Sequence, residues 1–261
     1  MSFRYFSGSL LALPLLPLLY FQGKRIRASV PSLPEAVEPQ GIIQNASKKK
    51  INLLCLGEST MAGVGVKKHV EGFAGTLAKE LADFKAAEVH WRVFAKSGYT
   101  AEKLRQKILP KLQEERPNII VISLGGNDAF TLNRPWKWRK QMEQLVHALQ
   151  QQFENTPIFL TNMPPIKEFP AFTKPIKFVI GNLVEILGQE LTKMVRQKHL
   201  VYYNEEVITL KGWTKKWQVD GAVEDFFSDG VHPSKLTYQI WAKDMAHFIN
   251  KHLAINKLSS Y

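Results

Sequence analysis

The chain has 261 residues, 45% of them hydrophobic, which is enough to bury one sizeable core, so one folded domain is the simplest expectation. Its net charge of +12 suits anionic lipid or acidic substrates; nucleic acid is not expected as a partner, because no basic stretch is interleaved with aromatic residues in a binding motif. The single cysteine, Cys55, excludes a disulfide within the chain and a zinc site built from several cysteines.

The first segment of the chain is apolar. Nineteen residues from Tyr5 to Gly23 carry no charge, and three of the next four residues are basic. A cleaved signal peptide is the weaker interpretation, because its positive charge should precede the apolar run and only Arg4 does so. We predict that residues 1–27 form a membrane anchor or an interfacial segment, with a signal-like segment or a segment packed on the domain as alternatives. The expected localisation is a membrane or the cell envelope, on a side that the sequence does not identify.

Residues 28–48 are rich in proline and show little hydrophobic periodicity, so we predict a linker that leads into a domain of residues 49–255. Within that domain, short apolar runs alternate with amphipathic segments of helical spacing. The strand candidates are INLLCL (51–56), EVHWRVF (88–94), NIIVISL (118–124), PIFLT (157–161) and LVYY (200–203).

This alternation predicts an α/β fold with a parallel sheet covered by helices on both faces. The second strand candidate alternates between apolar and polar residues as an edge strand does, whereas the first and third are almost entirely apolar. We therefore predict a flavodoxin-like, five-stranded sheet in the order 2-1-3-4-5. Ligands of such sheets bind beyond the carboxyl ends of the strands, at the switch point between strands one and three.

Four polar loops fall at this edge of the predicted sheet. Ser59 follows the first strand, Gly98 follows the second within KSGYT, and Asn127 follows the third within GGND. The loop FSDGVHPS, just before the last helix, supplies Asp229 and His232. Each loop alone is more readily explained as a turn or a helix cap, but their combination and order favour a catalytic site.

These residue types fit nucleophilic catalysis on an ester. A serine hydroxyl attacks only when a base takes its proton, and a histidine such as His232 has suitable basicity near neutral pH. Asp229, three residues away, can orient the imidazole and stabilise its charged form. The backbone amides of Ser59 and Gly98 and the side-chain amide of Asn127 can together form an oxyanion hole, in which each donor contributes on the order of 3 kcal/mol.

The blocks LGEST, KSGYT, LGGND and SDGVHPS, in that order across about residues 51–252, resemble those of the SGNH (GDSL-like) hydrolases. The resemblance implies a three-layer α/β/α fold and hydrolysis of esters, thioesters or acyl groups without a metal or another cofactor. It also implies the catalytic and oxyanion roles given above for the five site residues. The chain departs from the family at Glu58, where an aspartate is usual; we expect this residue to shape the turn rather than to take part in the chemistry.

The stretch PPIKEFPAFTKPIKFVIG follows the fourth strand and mixes apolar with basic residues. We predict that Phe169 and Phe172 form a substrate rim that accommodates acyl chains, with an ordinary loop as the alternative. The predicted function is a serine ester hydrolase for acyl esters, with lipid or lysophospholipid as the leading substrate class. A carbohydrate O-acetyl esterase and a non-catalytic binding protein on the same fold are the alternatives. The sequence does not indicate an oligomeric state or an acyl chain length.

Overall fold

One sheet of six strands organises the structure, a computed structural model that describes residues 3–258. The strands are β1 (Gln40–Ile43), β2 (Lys50–Gly57), β3 (Glu88–Ala95), β4 (Ile119–Ser123), β5 (Ile158–Leu160) and β6 (Val201–Tyr203). Their order is β1-β3-β2-β4-β5-β6, and all neighbours are parallel except β1, which runs antiparallel to β3. The five parallel strands have the predicted 2-1-3-4-5 order, so the predicted α/β fold is confirmed.

Helices cover both faces of this sheet. Those in the described part of the chain are α1 (Phe3–Ala12), α2 (Leu16–Ser29), α3 (Phe73–Lys85), α4 (Ala101–Lys107), α5 (Gly126–Phe130), α6 (Pro135–Gln152), α7 (Lys174–Val195), α8 (Leu210–Trp217) and α9 (Lys235–Leu258). Helix α3 packs against α9 as one layer, and α4, α6 and α7 pack side by side as the other. The layers lie on opposite faces of the sheet. The connection from β2 to β3 runs in one direction across the sheet, and the connections from β3 through β4 and β5 to β6 run in the other. Right-handed crossovers in opposite directions place their helices on opposite faces.

The central strands are buried because both of their faces are covered. Every residue of β4 is buried, and its sequence IIVIS is β-branched except for Ser123. Strand β2 is buried from Leu53 to Gly57. At Gly57 an added Cβ would lie 2.5 Å from the Ser123 carbonyl oxygen, so this close approach requires glycine. The chain leaves β2 directly after this residue, at the carboxyl edge of the sheet.

Strand β1 is a sixth strand that the sequence pattern did not predict. It comes from the segment interpreted as a linker and pairs with β3 from Gln40 opposite Arg92 to Ile43 opposite Val89. Strand β3 is therefore an inner strand, and its interpretation as an edge strand was wrong. Its alternation arises because one face packs on α3 while the other stays partly exposed. Four residues that include a glycine are too few to show a period, so β1 has no clear sequence signal.

The N-terminal helices α1 and α2 are joined by one 3₁₀ turn, Leu13–Leu15, and pack on α7. The stretch Tyr5–Ile26, whose mean hydropathy reaches 1.3 over an 18-residue window, is long and apolar enough to cross a membrane, and a signal sequence near the N-terminus would have the same property. Membrane contact and the division of the chain at residues 27 and 48 stay predictions.

Candidate active site

The loop before α9 contains a paired aspartate and histidine. One carboxylate oxygen of Asp229 accepts the backbone N–H groups of Val231 (2.9 Å) and His232 (2.7 Å), which folds the loop into a tight turn. The other oxygen lies 2.8 Å from Nδ1 of His232. Because a carboxylate only accepts hydrogen bonds, Nδ1 carries the proton and Nε2 of the neutral imidazole is left as a base.

Asp229 is held in its charged form. Its side chain is fully buried, whereas that of His232 is 24% exposed. Burial by itself raises the pKa of Asp229, but hydrogen bonds from the side chain and backbone of His232 and from the backbone of Val231 outweigh it, so the pKa lies below its usual range. The carboxylate is therefore ionised at neutral pH and can stabilise a protonated imidazole.

Ser59 lies two residues beyond the end of β2, in a turn in which the Val64 amide donates to the Ser59 carbonyl oxygen at 3.1 Å. The Ser59 side chain is half-buried, and its hydroxyl has no hydrogen-bond partner within residues 3–258. By contrast, the neighbouring Thr60 hydroxyl bonds the Ser123 hydroxyl at 3.2 Å. Serines that serve turns commonly bond nearby backbone through the hydroxyl, and Ser59 does not.

Three hydrogen-bond donors near the serine turn have unused hydrogens. The backbone amides of Ser59 and Gly98 have no acceptor among the described residues. The Asn127 side-chain amide donates one hydrogen to the Tyr99 carbonyl oxygen at 3.1 Å and keeps its second. Gly98 has a φ of +78°, a conformation that favours glycine, so its residue type follows from the backbone. Each of the three predicted oxyanion residues thus has one N–H hydrogen without an acceptor among the described residues.

Glu58 connects the serine turn to the asparagine block. Its buried carboxylate accepts the backbone N–H of Gly126 at 2.8 Å and that of Asn127 at 2.9 Å. Burial raises the pKa of Glu58 to about 7, although both hydrogen bonds favour the charged form. The expectation that Glu58 shapes its own turn was incomplete, because the carboxylate also reaches the next loop and positions the backbone of Asn127.

A second buried carboxylate supports the asparagine block. Asp128 accepts the amide of Ala101, at the start of α4, at 3.0 Å and the side-chain amide of Asn133 at 2.9 Å. Burial raises the pKa of Asp128 to about 6. These bonds join the block to the loop that carries Gly98. The one sequence signal for this role is the position of Asp128 directly after Asn127, which is too weak to predict it.

The segment interpreted as a linker also reaches the site. Glu35 accepts the backbone N–H of Ser97 at 2.8 Å and the ammonium group of Lys96 at 2.9 Å, just before Gly98. Two residues on, Val37 pairs with the backbone that follows the serine turn. Glu35 and Ser97 are 62 residues apart, so no local pattern indicates this contact.

The loops that carry Ser59 and His232 pack against each other. The hydroxyl of Tyr238, a buried residue of α9, donates to the Val64 carbonyl oxygen at 2.8 Å. At Gly65 an added Cβ would lie 2.4 Å from the carbonyl oxygen of the residue after His232. No hydrogen bond joins the Ser59 hydroxyl to His232 in the part of the chain that the structure describes.

The two predicted rim residues have different surroundings. Phe172 is partly exposed, whereas Phe169 is buried between Phe172 and Phe227, with ring centroids 5.3 and 5.4 Å apart. The Ala171 amide donates to the Gly230 carbonyl oxygen at 3.1 Å, so this segment lies against the histidine loop. Phe169 therefore supports the segment from within, Phe172 is the more exposed member of the pair, and the role of both as a substrate rim stays a prediction.

A cavity of about 430 Å³ lies beyond the carboxyl ends of β5 and β6. Its lining includes Met163 and Pro164, which also lie close to Gly125 and Gly126, but none of the predicted catalytic or oxyanion residues. The cavity is thus a neighbour of the candidate site. Within residues 3–258, no group of three His, Cys, Asp or Glu side chains is placed to hold a metal ion.

The fold and its loops together define a class of protein. A parallel sheet of order 2-1-3-4-5 between two helical layers, with serine, glycine, asparagine and histidine blocks beside its carboxyl edge, is a three-layer α/β/α hydrolase architecture. The chain belongs to the GDSL-like lipase/acylhydrolase family, whose sequence profile matches residues 55–240. This is a family of hydrolases.

Individual relatives are distant. The chain is 24% identical over 196 residues to Esterase TesA of Pseudomonas aeruginosa, which covers 72% of this chain and 85% of the relative. It is 24% identical over 157 residues to a GDSL esterase/lipase of Arabidopsis thaliana, covering 56% of this chain and 48% of the relative, so it spans about half the length of that protein. A solved structure of a Clostridium thermocellum family 3 carbohydrate esterase matches with a TM-score of 0.56 at 16% identity, over 79% of this chain and 100% of that one. This last likeness shows the fold alone.

Proposed function

We propose that this protein is a serine ester hydrolase in which Ser59 is the nucleophile and His232, oriented by Asp229, is the general base. The observation that carries the proposal is the contact between the buried Asp229 carboxylate and the partly exposed His232 ring, whose 2.8 Å distance leaves Nε2 of the neutral imidazole as a base. Membership of a hydrolase family and the unbonded hydroxyl of Ser59 support it. A purely structural turn requires neither an ionised partner for its histidine nor a serine without a hydrogen bond.

The proposed reaction starts with rotation of the Ser59 side chain, which brings Oγ to Nε2 of His232. Oγ attacks the carbonyl carbon of the ester as Nε2 takes its proton, and Asp229 stabilises the imidazolium. The tetrahedral intermediate collapses when its C–O bond to the alcohol breaks and His232 returns the proton to the leaving oxygen. Water then attacks the acyl-enzyme with the help of the same base, which releases the acid and restores Ser59.

The negative charge of the tetrahedral oxygen needs donors that are positioned before the substrate arrives. We assign this role to the amides of Ser59 and Gly98 and to the second side-chain hydrogen of Asn127. The bond from Glu35 to the residue before Gly98 and the two bonds of Glu58 support their positions. Preorganised donors of this kind contribute on the order of 3 kcal/mol each to the barrier reduction.

The proposed substrate class is an acyl ester of a lipid or lysophospholipid. The exposed apolar stretch Tyr5–Ile26 supports a membrane or envelope location, and the partly exposed ring of Phe172 beside the histidine loop supports an apolar acyl group. A carbohydrate O-acetyl ester is the second candidate, because a carbohydrate esterase shares this fold and the fold is therefore compatible with such a substrate. Acyl length separates them, because a lipid enzyme should prefer long chains and a deacetylase should accept acetyl alone.

Hydrolysis of p-nitrophenyl esters from acetyl to palmitoyl by the full chain tests the proposal. Ser59→Ala should lower kcat at least about 1000-fold, whereas Ser47→Ala, in the turn before β2, should match the wild type. A fluorophosphonate should label the wild type once, on the peptide that contains Ser59. If Ser59→Ala hydrolysed the esters at the wild-type rate, Ser59 would not be the nucleophile. A wild type that neither turns over nor becomes labelled would favour a non-catalytic binding protein.

A further inference from the structure

A shallow basic depression of about 480 Å³ follows α5. It is lined by three cationic side chains, Arg134, Lys137 and Lys140, and by no carboxylate. None of the three forms an ion pair within residues 3–258. Leu132 and Trp136 also line it, and 46% and 43% of their surfaces are exposed. We call these five residues the basic pocket.

The N-terminal helices α1 and α2 lie beside the basic pocket. The Tyr5 ring is edge-on to Trp136, with centroids 5.5 Å apart, and the Gln22 side chain accepts a 2.6 Å hydrogen bond from the Thr173 hydroxyl. Tyr5 and Leu19 pack against the domain. Other large apolar side chains of this segment are exposed to solvent: Phe6, Leu10, Leu11, Leu13, Leu16, Leu18, Tyr20 and Phe21.

Exposed apolar side chains beside cations that form no ion pair with a described residue match the chemistry of an anionic lipid bilayer; Arg134 lies over the Trp136 ring, 5.7 Å from its centroid. Large apolar patches on a protein surface mark contacts with a membrane or another protein. Segments that lie in the bilayer interface combine an apolar surface with Lys or Arg side chains, and Lys24 and Arg25 follow the apolar run here. Cations bind the anionic leaflet, and tryptophan prefers the level of the head groups. The basic pocket supplies both residue types.

We propose that α1, α2 and the basic pocket form one docking face for an anionic phospholipid bilayer, in which the helices enter the interface and the pocket takes phosphate head groups. This docking deepens the proposed function. Its consequence for catalysis depends on the proposed esterase activity at Ser59. Thr131, at the pocket, bonds the Asn127 carbonyl oxygen through its amide (3.0 Å) and its hydroxyl (2.9 Å). Phe130 contacts Phe172 with centroids 5.7 Å apart. Docking therefore brings the lipid surface next to the asparagine block, from which an acyl ester reaches Ser59 without crossing bulk water.

Vesicle flotation of the full-length Ser59→Ala protein tests docking without hydrolysis of the lipid. We expect stronger binding to phosphatidylcholine vesicles that contain phosphatidylglycerol than to phosphatidylcholine alone. Removal of the pocket charges by Arg134→Gln, Lys137→Gln and Lys140→Gln should lower the partition coefficient onto anionic vesicles on the order of 100-fold, because each cation near the surface strengthens binding. Binding to neutral vesicles should not change.

A matched control removes the same charge from elsewhere on the surface. Three exposed lysines lie at the amino edge of the sheet or in the α3–α9 layer, away from the pocket: Lys49, Lys79 and Lys251. Their joint replacement by glutamine should lower binding far less than the pocket variant does. Equal loss in the two triple variants would overturn the pocket assignment, because net charge alone would then explain binding.

The orientation of the docked protein has its own readout. Cys55 is buried, so Leu132→Cys can be labelled selectively with an environment-sensitive fluorophore. Its emission should shift to the blue on anionic vesicles, whereas a label at Lys79→Cys should not respond. A spanning helix alone would bind both vesicle types equally, whether or not the pocket charges are present. That result would overturn the proposal. The assay needs no turnover, so its failure is distinct from failure of the esterase reaction at Ser59.

Discussion

Replacement of Glu58 by glutamine should disable the candidate site while leaving the fold intact. In the wild type, one carboxylate oxygen accepts the Gly126 N–H at 2.8 Å and the other accepts the Asn127 N–H at 2.9 Å. Glutamine has nearly the same shape, but its oxygen accepts one of these groups and its NH₂ group faces the other. One backbone donor therefore loses its acceptor in a buried setting.

The size of the effect follows from the bonds that change. A hydrogen bond to a charged group contributes about 1.5–3 kcal/mol, and a buried donor without an acceptor costs about 1–3 kcal/mol. Movement of the Asn127 backbone displaces its side-chain amide, and loss of one oxyanion donor typically lowers kcat about 100-fold to 1000-fold. KM should change little, because the donor acts on charge that develops in the transition state.

Thermal unfolding separates this effect from a loss of folded protein. Burial raises the pKa of Glu58 from 4.5 to about 7, so between these pH values the folded protein keeps a proton that the unfolded chain has released. The resulting stability is fully present below the unfolded pKa and is lost as the pH rises through the folded pKa, with a total on the order of 3 kcal/mol. Glu58→Gln has no proton to lose. The Tm of Glu58→Gln minus the Tm of the wild type should therefore be more positive at about pH 8 than at about pH 5.

Activity should depend on pH in the opposite direction. The charged carboxylate of Glu58 is the form that accepts both N–H groups, so protonation of Glu58 should contribute to the acid limb of kcat in the wild type. Steady-state kinetics on a p-nitrophenyl ester across pH measure this. In Glu58→Gln, the contribution of Glu58 protonation to the fall of kcat at low pH should be absent. Glu143→Gln, in a surface ion pair with Arg139, is the matched control. A Glu58→Gln variant with wild-type kcat and pH profile would refute the reasoning.

Two further predictions concern the groups that orient the site. Asp229→Asn should lower kcat by as much as about 10⁴ at neutral pH, because an amide no longer selects the required imidazole tautomer; kinetics on the ester series measure this, and near-normal turnover would show that the pair does not act as proposed. Glu35→Ala should lower kcat roughly tenfold with little change in KM, because the Ser97 amide loses its acceptor next to an oxyanion donor. Deletion of residues 1–39 should share that loss, whereas deletion of 1–30 should not; equal activity of the two truncations would contradict the role of Glu35.

Strands that are buried along most of their length were predictable from their sequence. INLLCL and NIIVISL are covered on both faces in β2 and β4, so their apolar runs were sufficient to identify central strands. The alternation of β3 indicates partial exposure, as predicted, but the exposure does not come from an edge position. Exposure of one face and exposure of an edge produce the same period-two pattern, and only the pairing with β1 distinguishes them.

The candidate site shows the same division. The positions of Ser59, Gly98 and Asn127 were predictable because each follows a strand that ends at one edge of the sheet, and the contact of Asp229 with His232 because they are three residues apart in one loop. Phe169 and Phe172 share a segment and a residue type, and nothing local indicates that one is buried and the other is accessible. That difference depends on Phe227, which belongs to another loop.

Local chemistry along the chain was enough to predict the strand order, the four polar blocks and the family resemblance, because each depends on residues close in sequence and on general rules of parallel sheets. The arrangement that holds the site together was decided only in three dimensions. Glu35 bonds Ser97, and Glu58 bonds Asn127, across 62 and 69 residues of sequence. The basic pocket likewise meets α1 through Tyr5 and Trp136. Hydrogen bonds and ring contacts act over a few ångströms in space, so partners that are distant in sequence have no signal until the chain has folded.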